Sequence, residues 1–256
     1  MKTVILAGGM GMRMKEHTES IPKPLVTIGG HPMIWHIMKL YSHYGFNDFV
    51  ICLGYKGEKI KDYFVNYRQL KNDFTLTLGT ENKLIPHDHD VENWNITFAE
   101  TGENTPTGGR IKKIEKYIDG EDFFCTYGDG LSTVDVRALL EFHKQKGKIA
   151  TVTAINPISQ YGVLDIGDDD SITKFKEKPR LSQWINGGFF VFKKGIFDYI
   201  EEDDVLESDT FGRLTEKKEI AAYKFNGFWE CMDTFKDAEQ LHRMWNENIA
   251  PWRIWK

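Results

Sequence analysis

The chain has 256 residues, 41% of them hydrophobic, which is enough to bury one sizeable core or one core with an attached lobe. Charged residues make up 28% and the net charge is −5, a balance that argues against broad nucleic-acid or membrane-surface binding, since both favour basic faces. No stretch approaches the ~20 apolar residues of a membrane span, and the apolar run after Met1 stops at Gly8, short of a signal peptide's core.

Residues 2–7 (KTVILA) are apolar, β-branched and closed by Gly-Gly, as in a buried strand. A glycine-rich turn follows, in which Pro22 and Pro24 exclude regular helix. Helical spacing of Met33, Ile34, Ile37, Met38 and Tyr41 predicts a helix over 31–44, with Pro32 in its first turn and Gly45 as its stop. A second buried strand (48–53) and a second helix (57–67) come next. Alternation predicts strands at 74–79 and 95–100, separated by a polar loop or hairpin insertion. The run 108–118 reads as an amphipathic helix, 122–130 as a strand ending in Gly-Asp-Gly, 134–147 as a helix with a glycine stop, and 149–155 as a strand. Alternating strands and helices predict a parallel sheet covered on both faces. Further on, 161–179 reads as two strands joined by the acidic turn GDDDS. A buried strand within 185–197, a helical patch, the run 221–233 and a helix over 234–248 complete the chain. We read one domain, 1–256, with a nucleotide half at about 1–155 and an acceptor half at about 156–256.

Five groups of residues carry chemistry. The loop GGMGMR (8–13) directly follows the first strand; its amides can bind phosphate oxygens, and Arg13 adds a bidentate cation. A tight turn without ligand fits the glycines equally. The loop lacks both the GK[ST] of a Walker A motif and the third glycine of GxGxxG. Pro22 and Pro24 stiffen the backbone around Lys23, presetting an ammonium suited to charge on a transferred phosphate; an ordinary exposed lysine is the plainer alternative. Asp129, in Tyr127-Gly128-Asp129-Gly130, stands at a strand's carboxyl end, where ligands of open α/β sheets collect, and is a natural Mg²⁺ ligand or else a simple Asp-Gly turn. Asp233 follows GFWECM and fits either a second metal carboxylate or the N-cap of helix 234–248. Glu177-Lys178-Pro179 with Asn186-Gly187-Gly188 offers acid, base, amide and backbone groups for sugar hydroxyls and a second phosphate.

Cys52, Cys125 and Cys231 form neither a disulfide framework nor a CxxC metal pair; each reads as a small buried residue in a reducing compartment, and the protein as cytoplasmic. His31, His36, His87 and His89 lack metal-ligand spacing. Trp245, Trp252 and Trp255 read as packing or a subunit contact.

VILAGGMGMR, PKP, YGDG, FKEKP, NGGFFVF and GFWECMDT occur in the order found in sugar-1-phosphate nucleotidyltransferases. The chain resembles that family nearly end to end, and its cytidylyl-transferring branch in GGHPMIWHIMK, LGYKGEKIKDYF, ENWNITFAETGENTPTGGR and the terminal tryptophans. The resemblance implies a Rossmann-like α/β fold with a mixed, mainly parallel sheet flanked by helices and a smaller acceptor-binding β region. It implies that CTP and α-D-glucose 1-phosphate give CDP-glucose and pyrophosphate. It places Leu6, Ala7, Gly8, Gly9, Met10, Gly11, Met12, Arg13, Lys23, Thr105, Arg110 and Gly128 on the nucleotide. Tyr161, Glu177, Lys178, Asn186 and Gly187 go to the acceptor, and Mg²⁺ to Asp129 and Asp233. Arg13, Lys23 and Asp129 carry the catalytic roles. The family assembles as homo-oligomers, and the TGGR segment then serves a neighbouring subunit. Two residues depart from the pattern: Met12 stands where the family usually has threonine, and Tyr161 precedes Gly162, which opens the acceptor to other phosphorylated metabolites. A nicotinamide dehydrogenase needs a third glycine and an acidic residue ~20 positions on, at the end of a second strand, where this chain offers PKP and a helix. A non-catalytic nucleotide sensor is the remaining alternative of another class.

Overall fold

The computed structural model describes residues 1–11, 20–79, 82–87, 92–159 and 161–255. Its centre is a seven-stranded sheet in the order Ile220–Phe225, Ala150–Ile155, Ile185–Lys193, Asp122–Tyr127, Lys2–Leu6, Asp48–Leu53, Asn95–Glu100. Only Ile185–Lys193 runs antiparallel to its neighbours, so the sheet is mixed and mainly parallel. Because successive side chains on a strand point to opposite faces, the central strands feed two cores. Ile5, Ile51, Phe124 and Val191 face one side, where helices Met33–His43, Val136–Lys146 and Phe235–Asn246 pack. Val4, Val50, Cys125 and Phe190 face the other, against Thr107–Lys113 and Phe211–Glu216. This double coverage is why the strands read as unbroken apolar runs.

Several boundaries differ from the sequence expectation. The second helix ends at Val65 and a separate turn of helix resumes at Tyr67. The helix expected over 108–118 ends at Lys113 and continues as a 3₁₀ turn, Glu115–Tyr117, because Ile114 and Ile118 are drawn into the core. The polar insertion after residue 79 contains the strand Lys83–Pro86, hydrogen-bonded to Phe74–Thr77 as a hairpin. A second hairpin, Val163–Ile166 with Ile172–Lys176, is exposed along its whole length. Residue 233 is not a helix cap. Thr234 caps the last helix in a reciprocal capping box with Asp237, whose Oδ2 also accepts the Asp233 N–H at 3.0 Å.

The terminal tryptophans fold back onto the first helix. His31 stacks on Trp35 at 3.8 Å, and Trp245 meets His36 edge-on at 4.8 Å. The fully buried His36 donates from Nε2 to the Ile28 carbonyl (2.9 Å) and accepts the Trp252 indole N–H at Nδ1 (3.3 Å). Both ring nitrogens are thereby used by a neutral imidazole.

Candidate active site

Strand Lys2–Leu6 lies where the sheet's order reverses: the chain runs next to Asp48–Leu53 on one side and later to Asp122–Tyr127 on the other. Such a reversal opens a crevice beyond the strands' carboxyl ends. A cavity of about 570 Å³ occupies it, lined by Leu6 through Gly11, by Lys23 and Pro24, by Thr105 through Thr107 and Arg110, by Tyr127 through Asp129, and by Asp233. Met12 and Arg13 lie outside the described residues.

Lys23 reaches this cavity from a 3₁₀ turn, Lys23–Leu25, that Pro22 enters in extended conformation and that buried Pro24 anchors. Its Nζ donates to Asp129 Oδ2 at 2.7 Å and to Asp233 Oδ1 at 2.8 Å. Only 11% of the Lys23 side chain remains exposed. Burial alone draws the ammonium's pKa down, but the charge and hydrogen bond of Asp129 and the bond to Asp233 outweigh it, and the net shift is upward. Lys23 is therefore fixed as a cation.

The two carboxylates arrive by different routes. Asp129 follows the strand Asp122–Tyr127 through Gly128, whose N–H is bonded to Leu6 O at 3.0 Å. A β-carbon at Gly128 would stand 3.0 Å from that oxygen and 3.2 Å from Pro24, so only glycine fits easily. Asp233 comes from the distant ribbon Trp229–Cys231, paired antiparallel with Gly130–Ser132. Met232 donates to Asp129 O (2.9 Å) and sends its side chain into the core. Alternation then turns residues 231 and 233 the other way, toward Asp129. One oxygen each from Asp129 and Asp233 and the Cys231 sulfur all lie within 4.8 Å of one another, a group able to hold a divalent ion. Cys52 and Cys125 are buried, but Cys231 is only partly so, against the expectation from sequence.

Arg110 closes the opposite wall. It is 5% exposed, and its guanidinium donates to the carbonyls of Leu53, Gly102, Gly8 and Glu103 and to the Thr101 hydroxyl, all at 2.7–3.0 Å. A β-carbon at Gly8 would stand 2.1 Å from the guanidinium, so any larger residue there would push Arg110 off its acceptors. Thr105 donates to Thr101 O at 2.6 Å. The TGGR segment thus closes onto its own chain: Gly109 donates to Asp204 O (3.2 Å), and Thr107 donates to Glu207 Oε2 (2.8 Å).

Of the residues expected at the acceptor, Tyr161, Glu177, Lys178, Asn186 and Gly187 do not line this cavity. Tyr161 is 76% exposed, and Glu177 and Lys178 follow the exposed hairpin. Asn186 is connected to the cavity indirectly. Its Nδ2 donates to the Tyr127 hydroxyl at 3.0 Å, and that hydroxyl donates to Glu207 Oε1. Trp229 Nε1 donates to Gly187 O at 2.6 Å, tying the Asp233 ribbon to the same strand. Tyr127, Thr107 and Glu207 were not anticipated. Tyr127 and Thr107 lie inside motifs read for their neighbours, whereas Glu207 sits on a π-helical turn, Leu206–Thr210, that no local pattern announces.

The amino-acid sequence matches the family described as Nucleotidyl transferase over residues 2–246. The chain belongs to that family. It is 45% identical to the probable glucose-1-phosphate cytidylyltransferase of Bacillus subtilis (strain 168) and 44% identical to the glucose-1-phosphate cytidylyltransferase of Salmonella typhi, over the whole of both chains in each case. Among solved structures it resembles HddC from Yersinia pseudotuberculosis, with a TM-score of 0.68, 25% identity, and coverage of 95% of this chain and 99% of that one. Among the described residues no helix is long and apolar enough to cross a membrane.

Proposed function

We propose that this enzyme transfers CMP from CTP to a sugar 1-phosphate, glucose 1-phosphate above all, giving a CDP-sugar and pyrophosphate. One observation carries the reading: a proline-flanked ammonium bonded to two carboxylates from distant segments, at the edge of a cavity with a glycine-rich floor. The choice of base and acceptor follows the relatives' activity.

The acceptor phosphate is ionised at neutral pH and needs no protein base. Its oxygen attacks the α-phosphorus, and the bond to the bridging oxygen breaks with its electron pair leaving on pyrophosphate. The protein's contribution is position and neutralisation of charge. Amides of Gly8–Gly11 receive the triphosphate, with Arg13 on the leaving pyrophosphate. Lys23 faces the reacting phosphates, where its held charge counts most as negative charge shifts toward the leaving group. Arg110 acts by holding the Gly8 and Glu103 carbonyls, so that the floor and the Thr105 wall keep their spacing. The oxygen-rich pair Asp129 and Asp233 suits Mg²⁺, which when bound would offset the phosphates' charge. On the acceptor side, Glu177, Lys178, Gly187 and Tyr161 meet the sugar phosphate, with Asn186 oriented by Tyr127. We read the chain as a single domain working in the cytoplasm as a homo-oligomer.

Pyrophosphate release measured over four nucleoside triphosphates and a panel of phosphorylated acceptors tests this. Turnover is expected with CTP and glucose 1-phosphate above every other pair. Turnover confined to another triphosphate would overturn the base choice, and binding of CTP without pyrophosphate release from any acceptor would indicate a sensor.

A further inference from the structure

The proposed reaction gives Glu207 no task, yet its carboxylate stands where the acceptor side and the nucleotide wall meet. It accepts the Tyr127 hydroxyl at Oε1 and the Thr107 hydroxyl at Oε2, the latter at 2.8 Å. Tyr127 and Thr107 both line the cavity. Their surroundings set the direction of each bond. Gly188 N–H donates to Asn186 Oδ1 at 2.8 Å, which identifies the amide oxygen and leaves Nδ2 to donate to the Tyr127 hydroxyl at 3.0 Å. Leu206 N–H donates to the Thr107 hydroxyl oxygen at 2.9 Å. Each hydroxyl therefore accepts one bond and turns its single hydrogen toward Glu207. Two such hydrogens call for an acceptor with two oxygens and no hydrogen of its own, which is a carboxylate. Burial, and after it the charge of Glu207, holds the Tyr127 phenol well above its ordinary pKa, so the phenol keeps that hydrogen.

The turn that carries Glu207 is held by other groups. Leu206 and Thr210 are buried, and Asp209 Oδ2 accepts Val205 N–H at 2.8 Å. Buried Asp204 accepts Glu201 N–H at 2.8 Å, the Thr210 hydroxyl at 3.1 Å and the Arg213 guanidinium. Both Glu207 bonds, by contrast, leave the turn and enter the site. At the far end of the chain of bonds, a β-carbon at Gly188 would stand 2.5 Å from the Tyr127 ring, so ring and amide lie against one stretch of backbone. Among the described residues Asn186 spends one oxygen lone pair and one Nδ2 hydrogen in this way. It retains a second lone pair and a second N–H, the two groups that meet a hydroxyl able both to donate and to accept. We propose that Glu207 is a positioning residue for the acceptor: through Tyr127 it fixes the exposed Asn186 amide so that both groups face a hydroxyl of the sugar phosphate. The bond to Thr107 ties that alignment to the nucleotide wall. The inference rests on the reading of Asn186 as an acceptor ligand.

Steady-state kinetics of a double-mutant cycle in the intact protein tests it. Glu207→Ala is expected to raise the KM for glucose 1-phosphate about tenfold, while kcat and the KM for CTP change by less than about threefold. Tyr127→Phe should give a similar rise, and the double variant no more than either alone, because both cut one chain of bonds. Glu207→Gln keeps the side-chain volume but offers one acceptor oxygen to two hydroxyls, so it should raise the same KM at least about threefold. If alanine disturbs the fold by circular dichroism, the cycle is run with Glu207→Gln. A purely structural role predicts additive effects or equal rises in both KM values; either result overturns the inference, as does an unchanged KM for glucose 1-phosphate. Calorimetric binding of glucose 1-phosphate, beside a CTP analogue with carbon between its α- and β-phosphorus, reads the acceptor side without turnover. An affinity about tenfold weaker in Glu207→Ala, in a protein that releases no pyrophosphate, upholds the positioning role and defeats the reaction. Pyrophosphate release from CTP and glucose 1-phosphate that is indifferent to Glu207 upholds the reaction and defeats the positioning role. A wild-type protein that binds no glucose 1-phosphate overturns both.

Discussion

Two buried nitrogen bases in this molecule are handled in opposite ways. Lys23 is pressed against Asp129 and Asp233, which keep it charged. His36 is enclosed by indoles and a carbonyl, and burial, with the nearby charges of His31 and Arg253, lowers its pKa to about 4. Ionised groups gathered at a cavity store charge that a substrate can use, at a cost in desolvation. A neutral ring between aromatic side chains only fastens one segment to another. The contrast separates a reactive centre from a structural joint although both combine distant parts of the chain.

The sharpest test of the contrast is to remove charge at the first centre. Asp129→Ala should lower kcat on the order of a thousandfold at saturating Mg²⁺ while circular dichroism stays native. Normal turnover in that variant would reduce the centre to an ordinary salt bridge. Lys23→Ala should lower kcat roughly a hundredfold with little change in KM, because its contact strengthens in the transition state. Steady-state kinetics with CTP varied would show a KM effect instead if the ammonium merely binds substrate.

Arg110 tests the wall between the two regimes. Replacing it by alanine takes the guanidinium from the carbonyls of Gly102 and Glu103 and leaves Gly8 and Leu53 only their bonds from Tyr55 and Thr101, which should cost about 2 to 3 kcal/mol in chemical denaturation and raise the KM for triphosphate. An unchanged denaturation midpoint would show the loops to be self-supporting.

The joint predicts a pH effect. A histidine whose folded pKa is depressed from 6.5 to about 4 binds its proton in the unfolded state first. Stability is therefore full above pH 6.5 and falls as pH drops toward 4, by about 2 kcal/mol at pH 5. His36→Gln should flatten that slope between pH 7 and 5 in urea titrations. An unaltered slope would place the acid-sensitive group elsewhere.

Much of this was legible in the residues, for reasons that differ by region. Buried parallel strands write themselves as apolar runs, so Lys2–Leu6, Asp48–Leu53 and Asp122–Tyr127 could be read almost to the residue. Lys23, Asp129 and Asp233 stood out because prolines, glycines and aromatic runs frame them. Their mutual contact was only a hypothesis, since Lys23 and Asp233 are 210 positions apart and no local pattern encodes such a pairing. Illegible features depend on tertiary partners. The five acceptors of Arg110 belong to a strand end and two other loops, Glu207 meets Tyr127 across 80 positions, and the break after Lys113 exists because Ile114 is pulled inward. Cys231 was misread as buried for the same reason: its neighbourhood is made by a ribbon with Gly130–Ser132.

That ribbon also sets a timetable for biosynthesis. The glycine floor, Lys23 and Asp129 all leave the ribosome well before Trp229–Cys231, so a nascent chain can shape the triphosphate cradle while its second carboxylate is still untranslated. Stalled or prematurely terminated products short of this point would carry a half-built centre, without Asp233 and without the core residues Met232, Leu241 and Trp252 that pack beneath it.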